Sequence, residues 1–169
     1  WLTVTLAVDP LDAEGLTTDL RAALLAYLNS RRLAGYDLEI LAPQYAPLDV
    51  VIAFCTRMGF RPADVQQTLQ RALSNADLPG GQSGFFHPDH FTFGDDLYVS
   101  RLYATIMAVP GVESARITRL ARLWADQPDN ETVANLRQGY LNVGPDEVIR
   151  LDNDRNFPQN GTLTIQPLS

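Results

Sequence analysis

The chain has 169 residues, 46% of them hydrophobic, enough for one domain or two small packed ones with a substantial core. Its formal net charge of −7 argues against nucleic acid or an anionic membrane as the main partner, because both need a dense cationic face. No apolar run approaches the roughly 20 residues of a membrane span, and no basic segment with an apolar run and cleavage site opens the sequence. All 13 basic residues are Arg, a bias that base composition explains in the ordinary case and carboxylate pairing at interfaces would explain in a functional one. The sequence begins without Met, at Trp1 and directly in a strand-like pattern, and is expected to be a piece of a longer protein.

In chain order, "WLTVTLAVD" alternates apolar and polar residues and predicts a half-buried strand. "PLDAEG" breaks it. The next segment places Leu16, Leu20, Leu24, Tyr27 and Leu28 on one helical face, with Thr17 or Thr18 as cap, Arg31 and Arg32 in the last turn and Gly35 as the left-handed stop. Leu38, Ile40 and Ala42 alternate, Pro43 and Pro47 bracket a turn, and Leu48–Thr56 is β-branched and apolar. Two strands are predicted, the second central and buried on both faces, with Cys55 as core packing. Pro62 opens a helix whose stripe is Val65, Leu69, Ala72 and Leu73.

"ADLPGGQSGFFHPDHFTFGDD" is then a long irregular connection, functional or packed by its own side chains. A helix capped by Ser100 follows, with Leu102, Tyr103, Ile106 and Met107 inward and Pro110-Gly111 as its stop. "VESARITRLARLWA" is ambiguous: Arg116, Arg119 and Arg122 recur at helical spacing, whereas Val112, Ile117 and Thr118 favour a strand. We read a long strand with a bulge near Leu120. "DQPDNETVANLRQGYLNVGP" is polar and expected to be mostly loop, before strands at Asp146–Asp152 and Gly161–Leu168. The expected fold class is α+β: an open-faced β-α-β-β-α subdomain over 1–79, an ordered aromatic and glycine-rich connection over 80–96, and an α-β-β-β subdomain over 97–169.

Chemical candidates are few. His87 and His90 are spaced i, i+3, and Asp89, Asp95 and Asp96 could complete a metal shell, but Pro88 and the glycines make this a loop whose spacing alone does not converge the rings. "DNDRN" imitates the start of a calcium loop, yet Phe157 and Leu163 stand where glycine and a bidentate glutamate are required. "GGQSG" lacks the length and lysine of a phosphate loop, and Ser100 has no nucleophile context. Asp95-Asp96 suits a helix start. No catalytic residue, metal or cofactor is therefore expected. Phe85, Phe86, His87, His90, Phe91 and Phe93 are singled out as interface or loop-anchoring residues, the rings either docking a partner or closing over their own core.

The linked series "GFFHPD", "TFG", "LYVSRLYA", "VPGVES" and "LDNDRNFPQNGTLTI", with the earlier "RRLAGYDLEILAPQYAPLDVVIAFC" and "RPADVQQTLQRAL", resembles the C-terminal region of baseplate J-like assembly proteins. These are wedge subunits of contractile phage tails and related injection particles. The resemblance runs from Trp1 to about Ile165, and the long N-terminal part usual in such proteins is missing here. It implies a structural, non-enzymatic subunit that contacts other wedge subunits or copies of itself, assembled in the cytoplasm and built into a particle. The alternatives are a carbohydrate- or ligand-binding module using aromatics such as Trp124 and Tyr140, and a metal-dependent enzyme built on the His87/His90 loop.

Overall fold

The computed structural model describes residues 2–10 and 15–168 and has an α+β fold. It divides into two compact units, residues 1–44 and 45–169. The division thus falls at the first residue of the long central strand, not in the 80–96 connection. The reason is strand pairing: the central strand of the expected first half forms one sheet with strands of the second half.

The first unit is a β-α-β crossover. β1 (Leu2–Ala7) and β2 (Tyr36–Leu41) are parallel, paired from Leu2–Tyr36 to Ala7–Leu41, with α1 (Thr18–Asn29) between them in sequence. Thr17 caps α1, its hydroxyl accepting from the Leu20 amide at 3.3 Å. The helix stops at Asn29, so Arg31 and Arg32 lie beyond its last turn. Arg31 folds back over the Tyr27 ring, and Arg32 donates to the Tyr36 carbonyl and pairs with Asp37. Gly35, in the left-handed region, serves the turn into β2 rather than the helix stop. β1 is more exposed than its alternation predicts, Leu2 and Val4 included, and α1 has no fully buried residue.

The second unit is built on β3 (Gln44–Thr56), which β10 (Thr162–Pro167) joins in parallel and β7 (Val112–Arg122) antiparallel; β9 (Glu147–Arg150) also pairs with β3. Four two-residue strands form two further pairs: β4 (Asp77–Leu78) with β5 (Gln82–Ser83), and β6 (Leu97–Tyr98) with β8 (Tyr140–Leu141). β3 is central, as its composition predicts, but only one face is fully buried. Leu48, Val50, Ile52 and Phe54 point into the core, while Asp49, Val51 and Cys55 on the opposite face are half-exposed. Cys55 is therefore not a core thiol.

Helices α2 (Pro62–Ala72) and α3 (Val99–Ala108) supply the rest of that core. Val65, Leu69 and Leu73 come from the α2 stripe and its C-cap, and Leu102 and Ile106 from α3. Val99 is buried with them, whereas Met107 is 42% exposed and faces out. α3 begins one residue before the expected Ser100 cap. No side chain caps it; the Val99 amide instead donates to the Gly139 carbonyl at 2.9 Å.

Two features of β7 differ from the sequence reading. Its register against β3 skips Thr118 and Glu113, so the bulge lies two residues before Leu120 and a second one opens the strand. And "DQPDNETVANLRQGYLNVGP" is largely helical: α4 (Pro128–Gln138) packs along β7. The start and stop signals were present, with Pro128 at the first turn, Asp129 and Glu131 after it, Arg137 in the last turn and a left-handed Gly139 at the cap. The apolar period misses the helix because two of its inward residues, Thr132 and Asn135, are polar.

Candidate docking surface

The aromatic connection is an anchor for its own chain. Phe85, Phe86 and Phe91 are 9%, 3% and 5% exposed, and Phe93 is half-buried against the same core. Phe85 meets Phe86 edge-on at 4.9 Å between centroids, and Phe86 stacks on Phe91 at 6.0 Å. The backbone under the rings closes the end of α2. Phe85 donates to the Ala72 carbonyl and Phe86 to the Ser74 carbonyl, satisfying groups that a helix C-terminus leaves open. This approach requires Gly84, since a Cβ there would lie 2.1 Å from the Ser74 carbonyl oxygen.

The histidines are fully engaged inside the loop. The His90 Nδ1 lies 3.2 Å from the Phe85 carbonyl, which only accepts, so Nδ1 carries the proton and Nε2 accepts from the Ser83 hydroxyl at 2.9 Å. The His87 Nδ1 accepts from the Asp89 amide, leaving Nε2 as donor toward Asp77 at 3.3 Å. Both ring lone pairs are thus spent on local partners, and the rings are tilted 59° to each other. Among the described residues no group of three or more His, Cys, Asp or Glu is arranged to hold a metal ion.

The carboxylates are used in the same way. Asp152 accepts from Arg150, Asn160 and Asn75, and Asn153 accepts from the Leu163 amide, so the "DNDRN" oxygens brace the β9–β10 loop. Glu147 forms a two-pronged pair with Arg122, both contacts at 2.7 Å, and accepts from the Gly144 amide. The Arg122 hydrogen bond is the main cause that holds the Glu147 carboxyl down to about 2, against desolvation. Asp49 bridges the sheet, accepting from Thr162 on β10 and Arg119 on β7; Arg119 also reaches Asp129 on α4. Asp96 ties the "NV" turn after β8, accepting from Asn142 and the Val143 amide, and Asp95 accepts from the Thr92 amide. Of the aromatics considered for a glycan, Tyr140 packs against Tyr98 and Trp124 is exposed.

What remains open is on β7. α4 clamps one residue of it from both sides: the Leu120 amide donates to the Thr132 hydroxyl at 3.1 Å and the Leu120 carbonyl accepts from the Asn135 amide at 2.9 Å. The Arg122 amide donates to Glu131, and the Ile117 amide to the Tyr103 hydroxyl. Side chains thereby close the C-terminal part of a strand edge that otherwise presents a row of unpaired backbone groups. Beside it lies an open groove of about 630 Å³ between α3 and α4. Val99, Tyr103, Ile117, Val133 and Leu136 make it mainly apolar, and Arg116 and Asp129 are its charged members. Sequence reasoning missed this surface because α4, one of its walls, was read as loop. The chain matches no family model, and no curated protein matches it.

Proposed function

We propose that the protein is a non-catalytic structural subunit, a wedge component of the baseplate of a contractile phage tail or related injection particle, assembled in the cytoplasm through contacts with other wedge subunits or copies of itself. The observation that carries this reading is the contrast between spent polar groups and open apolar surface. His87, His90, Glu147, Asp152 and Asp49 are all committed to structural partners, whereas the α3–α4 groove and part of the β7 edge have none among the described residues. Catalysis needs polar groups left available to a substrate; assembly needs complementary surface. The linked motifs of the baseplate J-like family support the same reading and give the kind of particle. A glycan-binding role is less well supported, since Tyr103 is the aromatic side chain lining the groove and its hydroxyl is already engaged. Deleting the gene should leave particles without a completed baseplate. Normal particles in the deletion strain overturn the proposal.

A further inference from the structure

The open part of the β7 edge defines what would dock there. In an antiparallel pair, residues alternate between bonding their neighbour and pointing away from it. The Ile117 amide is bonded to Tyr103 and so points away from β3. Two residues earlier and in the same unbroken register, Ala115 also points away, opposite Phe54. Among the described residues β7 has no second strand neighbour. The Ala115 amide and carbonyl and the Ile117 carbonyl have no hydrogen-bond partner among the described residues. The two helices divide this edge: from Ile117 onward it is closed by Tyr103, Thr132, Asn135 and Glu131, and before it no side chain among the described residues hydrogen-bonds the edge.

Side-chain chemistry then selects the partner. Ala115 and Ile117 share the helix-covered face with Phe54 and Ile52, and Ile117 lines the groove. Arg116 alternates to the other side of the strand, at the margin of the groove, and its guanidinium has neither an ion pair nor a hydrogen bond among the described residues, unlike Arg119 and Arg122. We propose that β7 accepts a short extended segment of a partner protein as an added antiparallel strand along Ser114–Ile117, with the pattern apolar–acidic–apolar. The segment's two apolar side chains lie opposite Ala115 and Ile117, on the groove side. Its acidic side chain lies opposite Arg116, where cross-strand neighbours of opposite charge attract. A single carboxylate flanked by apolar residues fits better than an acidic run, which the net charge of −7 would repel. Backbone bonds supply affinity, and the apolar groove beside Ile117 and the Arg116 charge supply specificity, as in strand addition generally.

This inference rests on the assembly reading, naming the chemistry of one partner. The test uses the whole chain and three synthetic peptides, Thr-Val-Glu-Val-Thr and its Lys- and Ser-centred forms, titrated to the order of 1 mM, where weak strand addition is measurable. Amide NMR shifts and hydrogen exchange are read at Ala115, Arg116 and Ile117. The Glu-centred peptide should slow exchange at Ala115 and bind about tenfold more tightly than the Lys-centred one. Arg116→Glu should reverse that order. Ala115→Pro should abolish binding while keeping the fold, because its amide faces away from β3. No response at these residues to any peptide, or equal binding of the Glu- and Lys-centred forms, overturns the proposal. Peptide binding in a protein whose deletion leaves normal particles would instead sink the assembly role; incomplete particles without peptide binding would sink this partner alone.

Discussion

The clamp on Leu120 is the sharpest place to perturb the fold. Leu120 is fully buried, and its amide and carbonyl are met by the side chains of Thr132 and Asn135 on α4. Thr132→Val keeps shape and β-branching, so helix propensity changes little. It removes the acceptor at 3.1 Å and leaves a buried amide unmet, together with the helix's own bond from the Thr132 hydroxyl to the Pro128 carbonyl. A buried donor left unsatisfied costs about 1–3 kcal/mol, so we expect about 2 kcal/mol, close to 6 °C in midpoint for a chain of this length. Asn135→Ala should cost about as much through the Leu120 carbonyl. The double variant should cost less than the sum, because α4 loosens after the first loss and water reaches both groups. Urea unfolding followed by far-UV dichroism, with amide exchange at Leu120, measures this; exposed Ala134→Ser is the control and should stay within about 0.5 kcal/mol. A loss below about 0.5 kcal/mol for Thr132→Val, at unchanged denaturant slope, would refute the argument that α4 is held by closing the β7 edge.

Other outcomes follow from the same geometry. Gly84→Ala should destabilise by at least about 2 kcal/mol, since its Cβ meets the Ser74 carbonyl just past α2; the loop's amide exchange should rise with it, and unchanged protection at Phe85 and Phe86 would contradict the close packing. Phe86→Ala should cost about 3–5 kcal/mol by calorimetry or urea unfolding, as a cavity opened in the core. Glu147 has a folded pKa of about 2 against an ordinary 4.5, so its stabilisation is whole above about pH 4.5 and is lost as pH falls toward 2. Glu147→Gln should lower stability at pH 7 by about 1–2 kcal/mol, discounted for partial exposure, and flatten the pH dependence in that window. A variant as pH-sensitive as the parent would show that the pair with Arg122 contributes nothing. Zinc titrated into the protein should give no binding heat, because the lone pairs of His87 and His90 are already taken.

The sequence was informative wherever one face of an element is apolar. The stripe of α2 and the Thr17 cap are where periodicity and capping chemistry put them, and β3 is central as its apolar run predicts, though only one of its faces is fully buried. It failed where an inward position serves the backbone instead of the core. In α4, Thr132 and Asn135 look like solvent residues and are among the most deeply buried polar groups described. The domain division failed for a related reason: β10 pairs with β3 across more than a hundred residues, and no local pattern records which strands become neighbours. The 80–96 segment was legible as ordered but not as a helix cap, since Gly84 announces a turn and not the carbonyl it must approach.

β7 shows how one irregularity both made the sequence ambiguous and shaped the surface. Ile117 and Leu120 are three apart yet face the same core, opposite Ile52 and Val50, because Thr118 is squeezed out of the ladder. Arg116 and Arg119 are likewise three apart and share the other face, which is why they imitate a helix. The bulge also splits the edge. After it, the backbones of Leu120 and Arg122 bond α4; before it, that of Ala115 has no hydrogen-bond partner on this edge among the described residues. The opposite edge of the sheet is blunted by Pro167 in β10 and by Gln66, which donates to the Ile165 carbonyl at 2.7 Å. One short open stretch, closed on one side by Tyr103, admits a single partner strand in one register. Because the added strand belongs to a different protein, the contact does not repeat from copy to copy along the sheet, as the proposed place in a finite assembly requires.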